Sequence, residues 1–200
     1  MSILQKMLKE KKVVMSEKLV LNSSQGIFLP NTLTSLTIRL IGAGGSGSGG
    51  HHLTGKWNTY YYSAYGGGSG ASLVHTFSTA DINRLKNQFI YITVGVGGSS
   101  VASHHDGITG GDTIFDSFVA KGGTGGRGRV GDGTPGQGGE PTSLGSERGH
   151  NANNSSGGDG FTINEIGTFG TGGTGGYGVN PSSPGSNGVC VVEYSYTKEI

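Results

Sequence analysis

Two histidine pairs, His51-His52 and His104-His105 with Asp106 beside the second, are residue types that ligate zinc and similar metals. Adjacent residues of an extended backbone point to opposite faces, so each pair presents one imidazole easily and two only with difficulty. Exposed polar loop positions are the favoured reading, and no metal or other cofactor is expected. Two phosphate-binding look-alikes also fail. Gly42-Ala-Gly44-Gly-Ser-Gly47 follows a strand pattern like a dinucleotide fingerprint, but Ser48-Gly-Gly-His51 opens no helix, and no acidic residue lies about 20 positions on. Gly50-His-His-Leu-Thr-Gly55-Lys56 imitates a P-loop, yet Trp57 stands where Ser or Thr would hold Mg²⁺. There is no Gly-x-Ser-x-Gly, the single Cys190 lies in a strand-like run, and the acidic residues are scattered. No enzyme is expected.

The sharper signal is aromatic. Trp57, Tyr60, Tyr61, Tyr62 and Tyr65 crowd one glycine-flanked segment, with Ser, Gly and Asn around them. Stiff aromatics beside adaptable polar residues are the composition of a recognition loop, and Trp and Tyr are the usual hot-spot residues. Stacking over a scaffold that has few side chains of its own would explain the same cluster. Four segments, 51–65, 99–108, 144–156 and 177–184, hold Trp57, five of the eight tyrosines and five of the six histidines. His104, His105, Asn153 and Tyr177 therefore join the five aromatics as candidate contact residues.

These segments need a frame, and glycine supplies it. The chain has 42 glycines in 200 residues, many at every third position: 122, 125, 128 and 131; 133, 136 and 139; 167, 170, 173 and 176. A period of three belongs to the extended left-handed polyproline-II-type helix, which makes no internal hydrogen bonds. Glycine at every third position lets such helices approach to backbone distance and bond to one another. Collagen does so over long G-X-Y repeats rich in proline, whereas these runs are short and the prolines number five. Short runs packed side by side within one chain are the better solution, with Gly122–Gly139 and Gly167–Gly178 extended and their glycines inward.

Regular elements flank the runs. Alternation over 36–41 predicts a strand ending in Gly-Ala-Gly-Gly, and further strands are expected over 71–77, 89–94, 113–120 and 189–196. Ser78-Thr-Ala-Asp81 reads as a helix N-cap ahead of Ile82 and Leu85, and 185–188 as a turn. The expected class is mainly β with irregular structure: a small β layer carrying a bundle of polyglycine-II helices over 27–200. Residues 1–26 form a separate attachment segment. Within it, Ile3, Leu4, Met7 and Leu8 share one face of a short α-helix that would need a partner, the alternative being a frayed terminus.

Composition bounds the rest. Leu, Ile, Val and Phe total 44, above the level of about 20% typical of disordered chains. The first 18 residues carry five lysines against two glutamates, a net of +3, and the remainder nets −2. The main body offers no basic face for nucleic acid. No apolar stretch is long enough to span a membrane, and one cysteine excludes an intramolecular disulfide framework.

Leu40-Ile-Gly-Ala-Gly-Gly45, Gly66-Gly-Gly-Ser-Gly-Ala71, Ile92-Thr-Val-Gly-Val-Gly-Gly98, Gly110-Gly-Asp-Thr-Ile-Phe115, Ala120-Lys-Gly-Gly-Thr-Gly-Gly126 and Gly185-Ser-Asn-Gly-Val189 occur in an order that resembles the glycine-rich domain of bacteriophage tail fibre and tail-tip proteins, including the tip adhesins of T-even-like phages. The resemblance covers about residues 27–196. It implies a polyglycine-II sandwich on the virion whose loops contact a host outer-membrane protein or surface glycan. Because the apolar face of Ile3, Leu4, Met7 and Leu8 has no obvious partner within residues 27–196, it is expected to meet other virion proteins. The chain departs from the tip adhesins in having only the lysine-rich 1–26 at its N-terminus, so capping of a fibre by a monomer and a homo-oligomer elsewhere on the virion both stay open. A purely structural virion subunit is the second reading. An ice-binding role would need regularly spaced Thr or Ala, and the residues between the glycines are too mixed for it.

Overall fold

The computed structural model describes residues 12–200, and the protein is mainly β. The strands fall at Lys12–Leu21 (β1), Gln25–Phe28 (β2), Leu33–Ile41 (β3), His51–Thr54 (β4), Thr59–Tyr62 (β5), Ser72–Thr76 (β6), Phe89–Thr93 (β7), Thr113–Phe115 (β8) and Phe118–Ala120 (β9). Four more follow at Ser146–Glu147 (β10), Phe161–Ile163 (β11), Gly167–Phe169 (β12) and Val189–Glu199 (β13). One short helix, Thr79–Leu85 (α1), lies between β6 and β7, and the Ser78 side chain accepts the Asp81 amide at its start.

Two open antiparallel sheets face each other. One has the order β1-β13-β3-β6-β10 and the other β2-β7-β8-β9. Alternation along β3 turns Leu36, Ile38 and Leu40 inward, where they meet Leu73, Cys190, Val192, Ile92 and Phe115 and the α1 residues Ile82 and Leu85. A second cluster forms on the outer side of the larger sheet, where Ile41, Val189 and Val191 carry the β11–β12 hairpin through Ile163, Phe161 and Phe169.

The glycine runs leave the ends of these strands. Run 42–50 continues from β3 and is buried throughout. Its amides of residues 42, 45 and 48 donate to the carbonyls of Ala71, Gly68 and Tyr65; those of 43, 46 and 49 to Gly111, Ile108 and His105; those of 44, 47 and 50 to Ser186, Ser183 and Asn180. Each neighbour is thus met at every third residue, and all three neighbours run antiparallel to it. Its carbonyls accept from other runs: Ala43 from Gly123, Gly44 from Gly98 and Gly45 from Gly173. Run 65–71 is surrounded in the same way, by 42–50, 121–128, 136–139, 149–154, 158 and 170–173. This is a cross-bonded bundle in which the buried backbone finds its partners without a ladder. Side chains are excluded because the packing is too close for them. A Cβ at Gly70 would lie 1.9 Å from the Gly42 oxygen, and one at Gly125 2.2 Å from the Gly107 oxygen.

Several expectations are corrected. The folded body begins before residue 27, because β1 pairs with β13 along its whole length, from Lys12 with Glu199 to Leu21 with Cys190. The short helix expected around Ile3, Leu4, Met7 and Leu8 lies outside the described residues, and Lys12, Val13 and Val14 just after it belong to this strand. Residues 113–120 are a hairpin rather than one strand: Phe115 pairs with Phe118 and Asp116 turns at φ 51°. Residues 185–188 are an extended run instead of a turn, with Gly185 donating to Gly98 and Gly188 to Gly95. Gly122–Gly139 is two runs, because Arg127 pairs with Thr134 across an excursion that contains Gly128 (φ 66°) and Gly131 (φ 104°). Gly167 belongs to β12, so the second glycine run starts at Gly170.

Candidate recognition surface

Run 42–50 delivers the chain to β4, and the chain returns through β5 into run 65–71. At a rise of about 3 Å per residue, Gly50 stands roughly 25 Å from Gly42 and the sheets. His51 pairs with Tyr62, His52 with Tyr61 and Leu53 with Tyr60, and the Gly55 amide closes the turn on the Asn58 carbonyl at 2.7 Å. The segment expected as a loop is therefore a β-hairpin. Four other connections end beside it. The His104 amide donates to the Gly50 carbonyl and the Tyr65 amide to Gly128, while the Gly66 amide donates to Asn154. Ser63 bridges to Tyr177. Nothing in the local sequence joins these segments; the runs do.

Three imidazoles meet at the base of the hairpin. The His104 ring lies 4.9 Å from that of His51 and 4.6 Å from that of His52, centroid to centroid. Adjacent histidines on a strand were expected to serve opposite faces, yet one partner reaches both. His104 does so from the strand edge: its backbone turns at φ 63°, and its Nε2 faces the His52 amide at 3.4 Å and His52 Nδ1 at 2.9 Å. With the amide already donating to Nε2, the shared hydrogen belongs on His52 Nδ1. Burial holds the His51 pKa below its ordinary value, aided by the charges of His104 and Arg129 and opposed by Asp106. Asp106 Oδ1 accepts the Gly128 amide at 2.9 Å. Among the described residues no group of three or more His, Cys, Asp or Glu is placed to hold a metal ion.

The aromatics divide by role. Trp57 is 84% exposed at the hairpin tip, with Lys56 Nζ 5.2 Å above its ring. Tyr61 and Tyr177 are 50% and 56% exposed and sit 6.3 Å apart, and Tyr60 is exposed too. The Tyr61–Tyr177 pair forms an aromatic face, Tyr60 falls on the other side of β5, and all four rings stand exposed at this end of the molecule. Tyr62 is half-buried beneath the Arg129 guanidinium, 4.4 Å from ring centroid to Cζ, and Arg129 is itself paired with Asp132. Tyr65 is half-buried and its hydroxyl accepts the Gly131 amide. These two hold the base of the hairpin. Gly178, at φ 62°, lies under the Tyr61 ring, where a Cβ would come within 2.6 Å.

His105 bonds the Ser103 carbonyl through Nδ1 and Asn153 bridges to Ser156; both are exposed at this end, outside the aromatic face. Ile3, Leu4, Met7 and Leu8 lie outside the described residues. Sequence reasoning missed Arg129 and the joint placement of His51 and His52, although Arg127-Gly-Arg129 interrupting a glycine run marks a place where the chain leaves the bundle.

No helix among the described residues is long and apolar enough to cross a membrane. No curated protein matches the chain. Residues 22–196, which contain every glycine run and both sheets except β1 and the end of β13, match the model of a glycine-rich domain, and the chain belongs to that family.

Proposed function

We propose that this protein is a receptor-binding component of a phage tail fibre or tail tip. Its glycine runs are polyglycine-II helices, and its aromatic face meets a host outer-membrane protein or surface glycan. The helical reading is supported by the three-residue repeat of hydrogen-bond partners along run 42–50, since three residues per turn return each amide to the same neighbour. The recognition reading rests on one observation. Connections that are distant in sequence bring Trp57, Tyr60, Tyr61 and Tyr177 to one end of a cross-bonded bundle, away from the sheets. Aromatics held on such a frame lose little freedom on binding, so their contact area converts efficiently into affinity. The role is display, with no catalytic step.

A structural virion subunit is the second reading, favoured by β1. The outer edge of that strand has no partner among the described residues and exposes Val14, Met15 and Val20, a template for another chain. Virion attachment through the N-terminal segment fits either reading. The experiment is binding of the full chain to receptor-bearing cells, with melting measured in parallel. Trp57→Ala with Tyr61→Ala should lower affinity by about 2 kcal/mol or more and leave the melting temperature nearly unchanged. Full binding by that variant would overturn the recognition reading, and protection of Trp57 in the assembled particle instead of on cells would favour the structural one.

A further inference from the structure

The outer face of the larger sheet holds a cleft of about 300 Å³ that the aromatic face does not use. Two rows of the sheet make its floor. In one, Lys18, Glu193, Thr37 and Thr76 stand side by side across four strands; in the next, Val191, Arg39 and Val74 do. The β11–β12 hairpin supplies the wall through Thr162, Ile163 and Asn164.

Its charges are not balanced. Lys18 Nζ lies 3.1 Å from Glu193, and Arg84, Arg129 and Arg148 each have a carboxylate. Among the described residues, no carboxylate comes within ion-pair distance of Arg39, which sits between two valines that offer it no hydrogen bond. Arg39 is exposed between buried Val191 and part-exposed Val74, and a guanidinium so presented binds a carboxylate as a planar fork. The same cleft is lined by the Thr37 hydroxyl, which shares a hydrogen bond with Thr76 at 3.0 Å, by the Asn164 amide and by the Glu193 carboxylate, groups of the kind that bond ring hydroxyls, with Val74 and Val191 adding apolar surface. Inorganic phosphate would use Arg39 and leave the valines uncovered.

We infer that this cleft is a binding site for an acidic sugar, with the sugar carboxylate on Arg39 and the ring hydroxyls on Thr37, Asn164 and Glu193. The site belongs to the sheet end of the molecule and does not depend on the recognition reading of the hairpin.

The test is amide-resolved NMR titration of the full chain with N-acetylneuraminic acid, glucuronic acid, the methyl ester of each, glucose and inorganic phosphate. At least one acid should shift the amides of residues 162–164 saturably at millimolar concentration. Its ester should bind about tenfold more weakly, as expected for loss of one charge-assisted contact. The preferred acid tells a nonulosonic source from a uronic one. Arg39→Met should lose the binding at unchanged melting temperature, and Trp57→Ala should keep it. No saturable shift with either acid, equal binding of acid and ester, phosphate binding as tightly as the acid, or full binding by Arg39→Met would each overturn the assignment.

Discussion

Adding one methyl group to the centre of the bundle tests whether backbone contact between glycine runs is what holds it together. Gly67 is buried, its amide donates to Gly173 at 2.8 Å and its carbonyl accepts from Gly158 at 2.9 Å. A Cβ there would lie 2.2 Å from the Gly45 oxygen and 2.6 Å from the Ser46 oxygen, where ordinary contact begins near 3.4 Å. The runs must therefore separate by about 1 Å, since no flexible side chain can yield. That movement stretches the neighbouring bonds from Gly45 to Gly68 and from Ser48 to Tyr65, both 2.9 Å, out of bonding range. Two or three buried pairs left open at about 1–3 kcal/mol each put the cost of Gly67→Ala near 3–6 kcal/mol, a large part of a typical domain's stability. For a chain of this size the melting temperature should fall by about 10 °C or more, read by thermal circular dichroism. Gly55→Ala is the control, because its Cβ would meet only the Asn58 oxygen at 3.3 Å in an exposed turn. A Gly67→Ala protein melting within a few degrees of Gly55→Ala would refute the close-packed reading.

Two other outcomes follow from β1 and from the imidazole cluster. Deleting residues 1–21 should lower the melting temperature and open Cys190, whose thiol is pushed up to about 12 by burial; it should resist thiol reagents in the full chain and react after the deletion, and an unchanged labelling rate would show that β1 does not shield it. For His51, burial favours the neutral ring, so the unfolded chain binds the proton more readily and the stabilisation present above the ordinary value of 6.5 is lost as pH falls below it. Protection of the amides of residues 50–64, taken relative to the intrinsic exchange rate at each pH, should therefore fall below about pH 6, with His51→Gln flattening the response, and a pH-independent protection factor in the wild-type chain would refute this.

The elements that alternate were readable in advance. β3, β6, β7 and β13 each pair an apolar face with a polar one or lie between sheet neighbours, and Ser78 before Asp81 marks the start of α1 by local chemistry alone. β1 was not readable as a strand. Lys-Val-Val-Met-Ser-Glu-Lys-Leu-Val-Leu groups its apolar residues without a period of two, because as an edge strand it answers mainly to β13, far along the chain. The turn at Asp116-Ser117 carries neither Gly nor Asn, the residues that usually advertise a tight hairpin. In the candidate site, composition singled out Trp57 and the tyrosines. It did not separate exposed Tyr61 from Tyr62 beneath Arg129, because neighbours in sequence fall on opposite faces of β5.

Residue type and spacing alone dictate that side chains are missing at regular intervals, and hence that backbone can meet backbone, because that requirement is purely steric. They also set which residues have the stiffness and polarity to recognise a surface. Which run lies against which emerges in the folded chain, because every glycine run offers nearly the same donors and acceptors and nothing local distinguishes one partner from another. That choice is made by the sheets, whose apolar faces fix where each run begins. It alone places His104 against His51 and His52, and Tyr177 against Tyr61.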